Sequence, residues 1–116
     1  MQILCYEKCG TCKKALKWLK DNGISVPVRP IKEENPSKEE LREWQKRSGL
    51  PLNKFFNTSG KLYREYELSK KLPQMSEEEM LDLLASDGML VKRPLLIGKD
   101  KVLVGFRENE YAETLL

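Results

Sequence analysis

Apolar positions change their spacing along the 116-residue chain, and each change marks a different kind of element. Ile3-Leu4-Cys5-Tyr6 is a short continuous apolar run that ends in Glu7-Lys8-Cys9-Gly10, which predicts a buried strand followed by a turn. From Thr11 to Asp21, Ala15, Leu16, Trp18 and Leu19 recur at helical spacing with lysines on the other face. Asn22-Gly23 then supplies a stop, because both residues tolerate the left-handed backbone at a helix C-terminus. Ile24 to Ile31 predicts a second extended segment. Pro27 and Pro30 lack amide hydrogens, so this segment belongs at a sheet edge or is irregular.

The middle of the chain reads as helical. Ser37 stands three residues before Glu40, a capping box that opens a helix ending near Ser48-Gly49. Leu52 to Phe56 is short and apolar, Asn57 to Gly60 is a loop, and Tyr63 to Leu72 predicts another short helix. Phe55-Phe56 either packs on the preceding helix or stays partly exposed, while Trp44, three positions after Leu41, packs the helical middle. Ser76 and Glu79 form a second capping box, and Glu77-Glu78-Glu79 complements the start of a helix that stops at Asp87-Gly88. Leu95 to Ile97 and Val102 to Val104 flank Gly98-Lys99-Asp100-Lys101 as a hairpin, and Glu108 to Leu116 closes the chain as a helix. A β-α-β start and a β-β-α end make the plan of an α/β, thioredoxin-like domain over residues 1–116, with a helical insertion at approximately 35–88. Function must be argued from a site on that plan.

Composition narrows the chemistry. There are 21 basic and 18 acidic residues, a net charge of +3, too small an excess to imply direct nucleic-acid binding. The chain has three cysteines and no histidine, which excludes a Ser-His-Asp triad, a Cys-His pair, an HExxH zinc site and an imidazole base. No apolar run approaches the ~20 residues that span a bilayer, and the N-terminus is not a secretory signal. The cytoplasm is therefore the expected compartment, where stable disulfides are rare and cysteines are metal-binding, catalytic or inert.

Cys9-Gly10-Thr11-Cys12 falls between the first strand and the first helix. Unpaired backbone N–H groups and the helix dipole stabilise a thiolate at such a junction. Cys9, just outside the first turn, is the expected nucleophile; Cys12, about one turn along and more covered, is the resolving thiol. Gly10 would allow a substrate sulfur close to the backbone, and Lys8 and Lys13 add positive potential. Half of a zinc site and a pair of incidental thiols are the competing readings. Cys5, on the strand, reads as a small core residue. Lys92-Arg93-Pro94 precedes the third strand and fits a cis-proline loop, with the Arg93 guanidinium available for an oxyanion, a carboxylate or the thiolate.

Cys9 to Ala15 with Trp18-Leu19, then Lys92-Arg93-Pro94-Leu95, then Val104-Gly105-Phe106, resemble the arsenate reductase (ArsC)/Spx-like family over essentially the whole chain. The resemblance implies a thioredoxin-like fold with the insertion, a nucleophile at Cys9, and an active-site arginine and cis-proline at Arg93 and Pro94. Arsenate-reducing members use three arginines; Arg93 matches one, Arg107 falls near a second, and Asn57-Thr58-Ser59 stands where the third is expected. A missing charge-assisted contact removes roughly 1.5–3 kcal/mol from an anion site. Regulators of the Spx type keep the CxxC as a switch and bind the C-terminal domain of the RNA polymerase α subunit, and Gly49 lies in the region used for that contact.

Three functions follow. The first is a thiol–disulfide oxidoreductase of the reductase-like branch, with Cys9, Cys12 and Arg93 catalytic and Gly10, Thr11, Pro94 and Arg107 around the substrate. The others are the polymerase-binding regulator and an arsenate or other oxyanion reductase. No bound cofactor or metal is expected; glutathione or a thioredoxin system is the expected electron donor. The expected partner is a thiol or disulfide substrate, with no membrane, and the protein is expected to be a monomer.

Overall fold

The computed structural model describes residues 1–116. Four strands form one sheet in the order β2-β1-β3-β4: β1 (Gln2–Cys5), β2 (Val28–Pro30), β3 (Leu95–Ile97) and β4 (Val102–Val104). β1 runs parallel to β2 and antiparallel to β3, and β3 pairs antiparallel with β4. The parallel pair is joined by α1 (Gly10–Asp21), which ends at Asn22 and a left-handed Gly23. β2 is an edge strand, where a proline at its end costs no ladder hydrogen bond. β1 stops one residue earlier than its apolar run. The Tyr6 carbonyl turns away to accept from the Cys9 amide at 3.0 Å, which starts the turn into α1.

Between β2 and β3 every regular element is helical: α2 (Lys38–Ser48), a 3-10 turn over Leu52–Phe55, α3 (Lys61–Glu65), α4 (Leu68–Lys71), a second 3-10 turn over Leu72–Gln74, α5 (Glu77–Ser86) and a third over Gly88–Leu90. Both capping boxes form: Ser37 Oγ accepts from the Glu40 amide, and Ser76 Oγ from the Glu79 amide, each at 3.1 Å. The single helix expected over Tyr63 to Leu72 is broken. Tyr66 closes α3, and Glu67 adopts a left-handed backbone (φ 52°) before α4 begins. Without that break Leu62, Tyr63, Leu68 and Leu72 could not all face the core built on Phe55, Phe56 and Leu90.

The sheet has apolar residues on both faces. On one side Leu4, Leu95 and Ile97 meet the insertion through Trp44, Phe55, Phe56 and Leu84; on the other, Ile3, Cys5 and Leu96 meet α1 and Tyr111 of α6 (Glu108–Leu115). Trp44 is thus a core residue, and the Phe55-Phe56 pair is fully buried. Several contacts fasten the insertion to the sheet, two of them at β2 and the residue after it. Gly88 presses on Ile31 so closely that a Cβ there would lie 1.9 Å from the Ile31 carbonyl oxygen. Arg29 on β2 donates bidentately to Glu40 of α2, at 2.7 and 2.9 Å. No helix is long and apolar enough to cross a membrane.

Candidate active site

The site is assembled where the turn into α1 faces the segments leading into β3 and out of β4. Cys9 is the N-cap residue of α1. Its extended backbone (φ −87°, ψ 119°) lets its carbonyl accept the first helical bond from Lys13 at 3.1 Å, while its side chain makes no capping bond. A serine or aspartate at this position would satisfy the first-turn amides; the thiol leaves that positive helix end to act on the sulfur. Cys9 is half-buried, whereas Cys12 is 1% exposed. All three cysteines are free thiols.

Cys12 sits between two other sulfurs. The neighbouring Cys5 thiol and burial hold the Cys12 proton well above the usual thiol range; the Tyr6 backbone opposes this more weakly. The same pairing shifts the Cys5 thiol downward, against its own burial. Cys9 reaches the Cys12 side chain from the solvent side. The protected Cys12 is suited to act second, after a mixed disulfide on Cys9 has brought a sulfur against it.

Cys9 opens into a cleft of about 520 Å³ whose walls also carry Thr11, Asn57, Ser59, Lys61, Lys92, Arg93, Phe106 and Arg107. Four of its lining residues are cations and none is a carboxylate. The loop after the first 3-10 turn is held against the approach to β3 by backbone bonds from Asn57 to Leu90 and from Lys92 to Phe55, both 2.8 Å. Those bonds are why Asn57 and Ser59 face the same space as Lys92 and Arg93.

Arg93 is fixed from behind. One Nη donates to the Met89 and Val91 carbonyls at 3.2 and 3.4 Å, and the guanidinium lies 5.2 Å from the centre of the Tyr6 ring. Its Nε is buried without a hydrogen-bond partner. Arg93 thus lines the Cys9 cleft with one Nη bonded to backbone carbonyls and no hydrogen bond to the Cys9 sulfur. The Arg93–Pro94 peptide is cis, and Pro94 is buried; its carbonyl accepts from Gly105 at 2.9 Å, tying the two sides of the cleft together. Gly105 has φ 82°, a left-handed value that favours glycine, and Phe106 beside it packs on Tyr111 and Trp18 with centroids 4.8 and 6.5 Å apart. Tyr111 in turn donates to the Gly105 carbonyl at 3.3 Å.

Cys9, Thr11, Arg93 and Arg107 therefore share one cleft, with Cys12 directly beneath Cys9. Gly10 and Pro94 stand outside its lining, and the space beside Gly10 is open, so no neighbour requires a glycine there. Lys8 and Lys13 do not line the cleft; Lys61 and Lys92 do. Lys92 was within sight as part of Lys92-Arg93-Pro94, but nothing in the spacing of Lys61 announces it. A larger cavity, about 650 Å³, lies within the insertion and meets the cleft only at Lys92; it contains no thiol.

The model of the ArsC family matches residues 4–114. YusI of Bacillus subtilis is 56% identical over 108 residues, covering 93% of this chain and 92% of that protein. A solved ArsC family related protein from Bacteroides fragilis superimposes with a TM-score of 0.95 at 52% identity, over 97% of this chain and 94% of that one. The regulatory protein MgsR of Bacillus subtilis is 27% identical, over 90% of this chain and 82% of its own length.

Proposed function

The chain belongs to the ArsC family, and we propose that within it the protein acts as a thiol–disulfide oxidoreductase with Cys9 as nucleophile and Cys12 as resolving thiol. One observation carries this reading: a half-exposed thiol at an uncapped helix N-terminus, with a second, buried thiol beneath it. Cys9 attacks one sulfur of a substrate disulfide as its thiolate; the other substrate sulfur leaves with the bonding electron pair and takes a proton. Cys12 then gives up its proton and attacks Cys9 Sγ. The Cys9–Cys12 bond forms, and the second substrate thiol is released. Two electrons have passed from the dithiol to the substrate, and glutathione or a thioredoxin system returns them.

Lys61, Lys92, Arg93 and Arg107 favour a substrate with carboxylates near its disulfide, such as a glutathione mixed disulfide. The deciding experiment mixes purified variants with that substrate. Cys12→Ser accumulates a stable adduct on Cys9 and Cys9→Ser none; equal adducts on both would overturn the assignment.

The 27% identity to MgsR favours a second reading, a redox-controlled regulator contacting RNA polymerase near Gly49, the left-handed cap of α2. Pull-down with the polymerase α C-terminal domain, with the protein reduced and oxidised, checks it. No capture in either state removes it.

A further inference from the structure

The reaction just described uses two of three thiols that lie in contact. Cys5 is the last residue of β1 and Cys12 lies in the opening turns of α1, and the turn between them folds the helix back across the strand. Both sulfurs enter one buried cluster with Ile3, Ala15, Leu96 and Tyr111, and Cys9 packs on that cluster from the surface. Cys5 is 4% exposed and Cys12 1% exposed. Cys12 is therefore the middle member of a short column of sulfur, with Cys9 outside it and Cys5 inside. A core that needed only a small apolar residue at position 5 could use alanine or valine; a thiol facing another thiol adds a reaction those residues lack.

We infer that Cys5 is a third redox thiol of this site, which displaces Cys9 from the Cys9–Cys12 disulfide to form Cys5–Cys12 and return Cys9 as a free thiol. The inference rests on the oxidoreductase reading, because that reaction makes the starting disulfide. Cys5, as its thiolate, attacks Cys12 Sγ in line with the existing bond. The Cys9–Cys12 bond breaks, Cys9 Sγ leaves with the electron pair toward the cationic cleft, and it takes up the proton that Cys5 gave. One disulfide is exchanged for another, so no oxidant or reductant is consumed. The consequence is a change of address. A bond formed at the cleft moves into a pocket that external thiols do not reach, and it is reduced only when Cys9 attacks Cys12 in return.

Trypsin separates the two disulfides, because Lys8 lies between Cys5 and Cys9 and Lys13 follows Cys12. Residues 1–8 then carry Cys5 alone, and residues 9–13 carry Cys9 and Cys12. The wild-type protein is oxidised with diamide, quenched in acid, labelled with N-ethylmaleimide under denaturing conditions, digested and examined by mass spectrometry. The expected product is peptide 1–8 linked to 9–13 through Cys12 with the label on Cys9, and this species is lost in Cys5→Ala. If every oxidised molecule carries the Cys9–Cys12 loop with Cys5 labelled, the exchange is overturned and the oxidoreductase reading stands. If no disulfide forms among Cys5, Cys9 and Cys12, both fall. In Cys9→Ser there is no Cys9–Cys12 bond to exchange, so diamide should leave both Cys5 and Cys12 labelled. A Cys5–Cys12 link that forms as readily without Cys9 would overturn the exchange.

Discussion

Arg93 lines the cleft beside Cys9, and its guanidinium is positioned before any substrate arrives. Two carbonyls and the Tyr6 ring hold it, and its Nε remains unpartnered. A lysine there would keep a charge but lose the planar fork and the stacking on Tyr6. Arg93→Lys should therefore lower kcat/KM on a glutathione mixed disulfide by about tenfold or more, in line with the ~1.5–3 kcal/mol of a hydrogen bond to a charged group, mostly through KM. Steady-state kinetics on that substrate, beside an uncharged disulfide that should respond little, checks it. The placement of Cys9, Cys12 and Arg93 was legible in the sequence because it is tied to local features: a strand–helix junction and a basic residue before proline. The Cys5–Cys12 contact was not. A separation of seven residues across a turn says nothing of whether a strand side chain and a helix side chain meet, which depends on the face each element turns to the sheet. Lys61 was hidden for the same reason: its place in the cleft comes from backbone bonds between residues 55–57 and 90–92.

Among the elements, local chemistry marks beginnings better than ends. Ser37 and Ser76 each start a helix with a reciprocal pair of bonds, and both helices pack their apolar faces, Leu41 and Trp44 on α2 and Leu81 and Leu84 on α5, into the same cluster. Ser37→Ala and Ser76→Ala should each destabilise the fold by about 1 kcal/mol. Their effects should not add fully, since α2 and α5 are also linked by Lys38 with Glu78 and Asp82, and by Arg42 with Glu78. Urea titration of the two single variants and the double variant measures both quantities. The break at Tyr66-Glu67 shows what local chemistry does not carry. Nothing about glutamate asks for φ 52°, a conformation that costs a non-glycine residue roughly 1–2 kcal/mol. It is imposed by the need to bring Leu68 and Leu72 onto a core whose other half is formed far away in sequence. The edge position of β2, by contrast, was readable from its prolines, since a missing amide hydrogen is the same fact in the chain as in the sheet.

At the scale of the whole molecule, carboxylates paired with arginines and lysines join the insertion to itself and to the sheet, and they give stability a pH dependence. Hydrogen bonding to Arg42 and Lys38 draws Glu78 down from its ordinary 4.5 to about 2, and hydrogen bonding to Arg29 lowers Glu40. Both shifts are downward, so this stability is present above the ordinary carboxylate range and is lost as pH falls toward the folded-state values. The thermal midpoint should decline from about pH 5 to about pH 2, and Glu40→Gln should flatten part of that decline more than Glu78→Gln, whose ion pairs are exposed and screened. The overall plan followed from the order of strands and helices, whereas the anchoring of the insertion did not: Gly88 resembles an ordinary helix stop until Ile31 is seen against it. The unbalanced charge of the cleft has a consequence that appears in time rather than in energy. Lys61, Lys92, Arg93 and Arg107 face incoming substrate with no carboxylate among them, so anionic disulfides are drawn in faster than random collision would deliver them. Added salt shortens the reach of that attraction to about 8 Å at physiological ionic strength. Turnover of an anionic disulfide at low substrate should fall by about tenfold as sodium chloride is raised, while an uncharged disulfide should be processed at nearly constant rate. Such a protein would choose among disulfides partly by how quickly each one finds it.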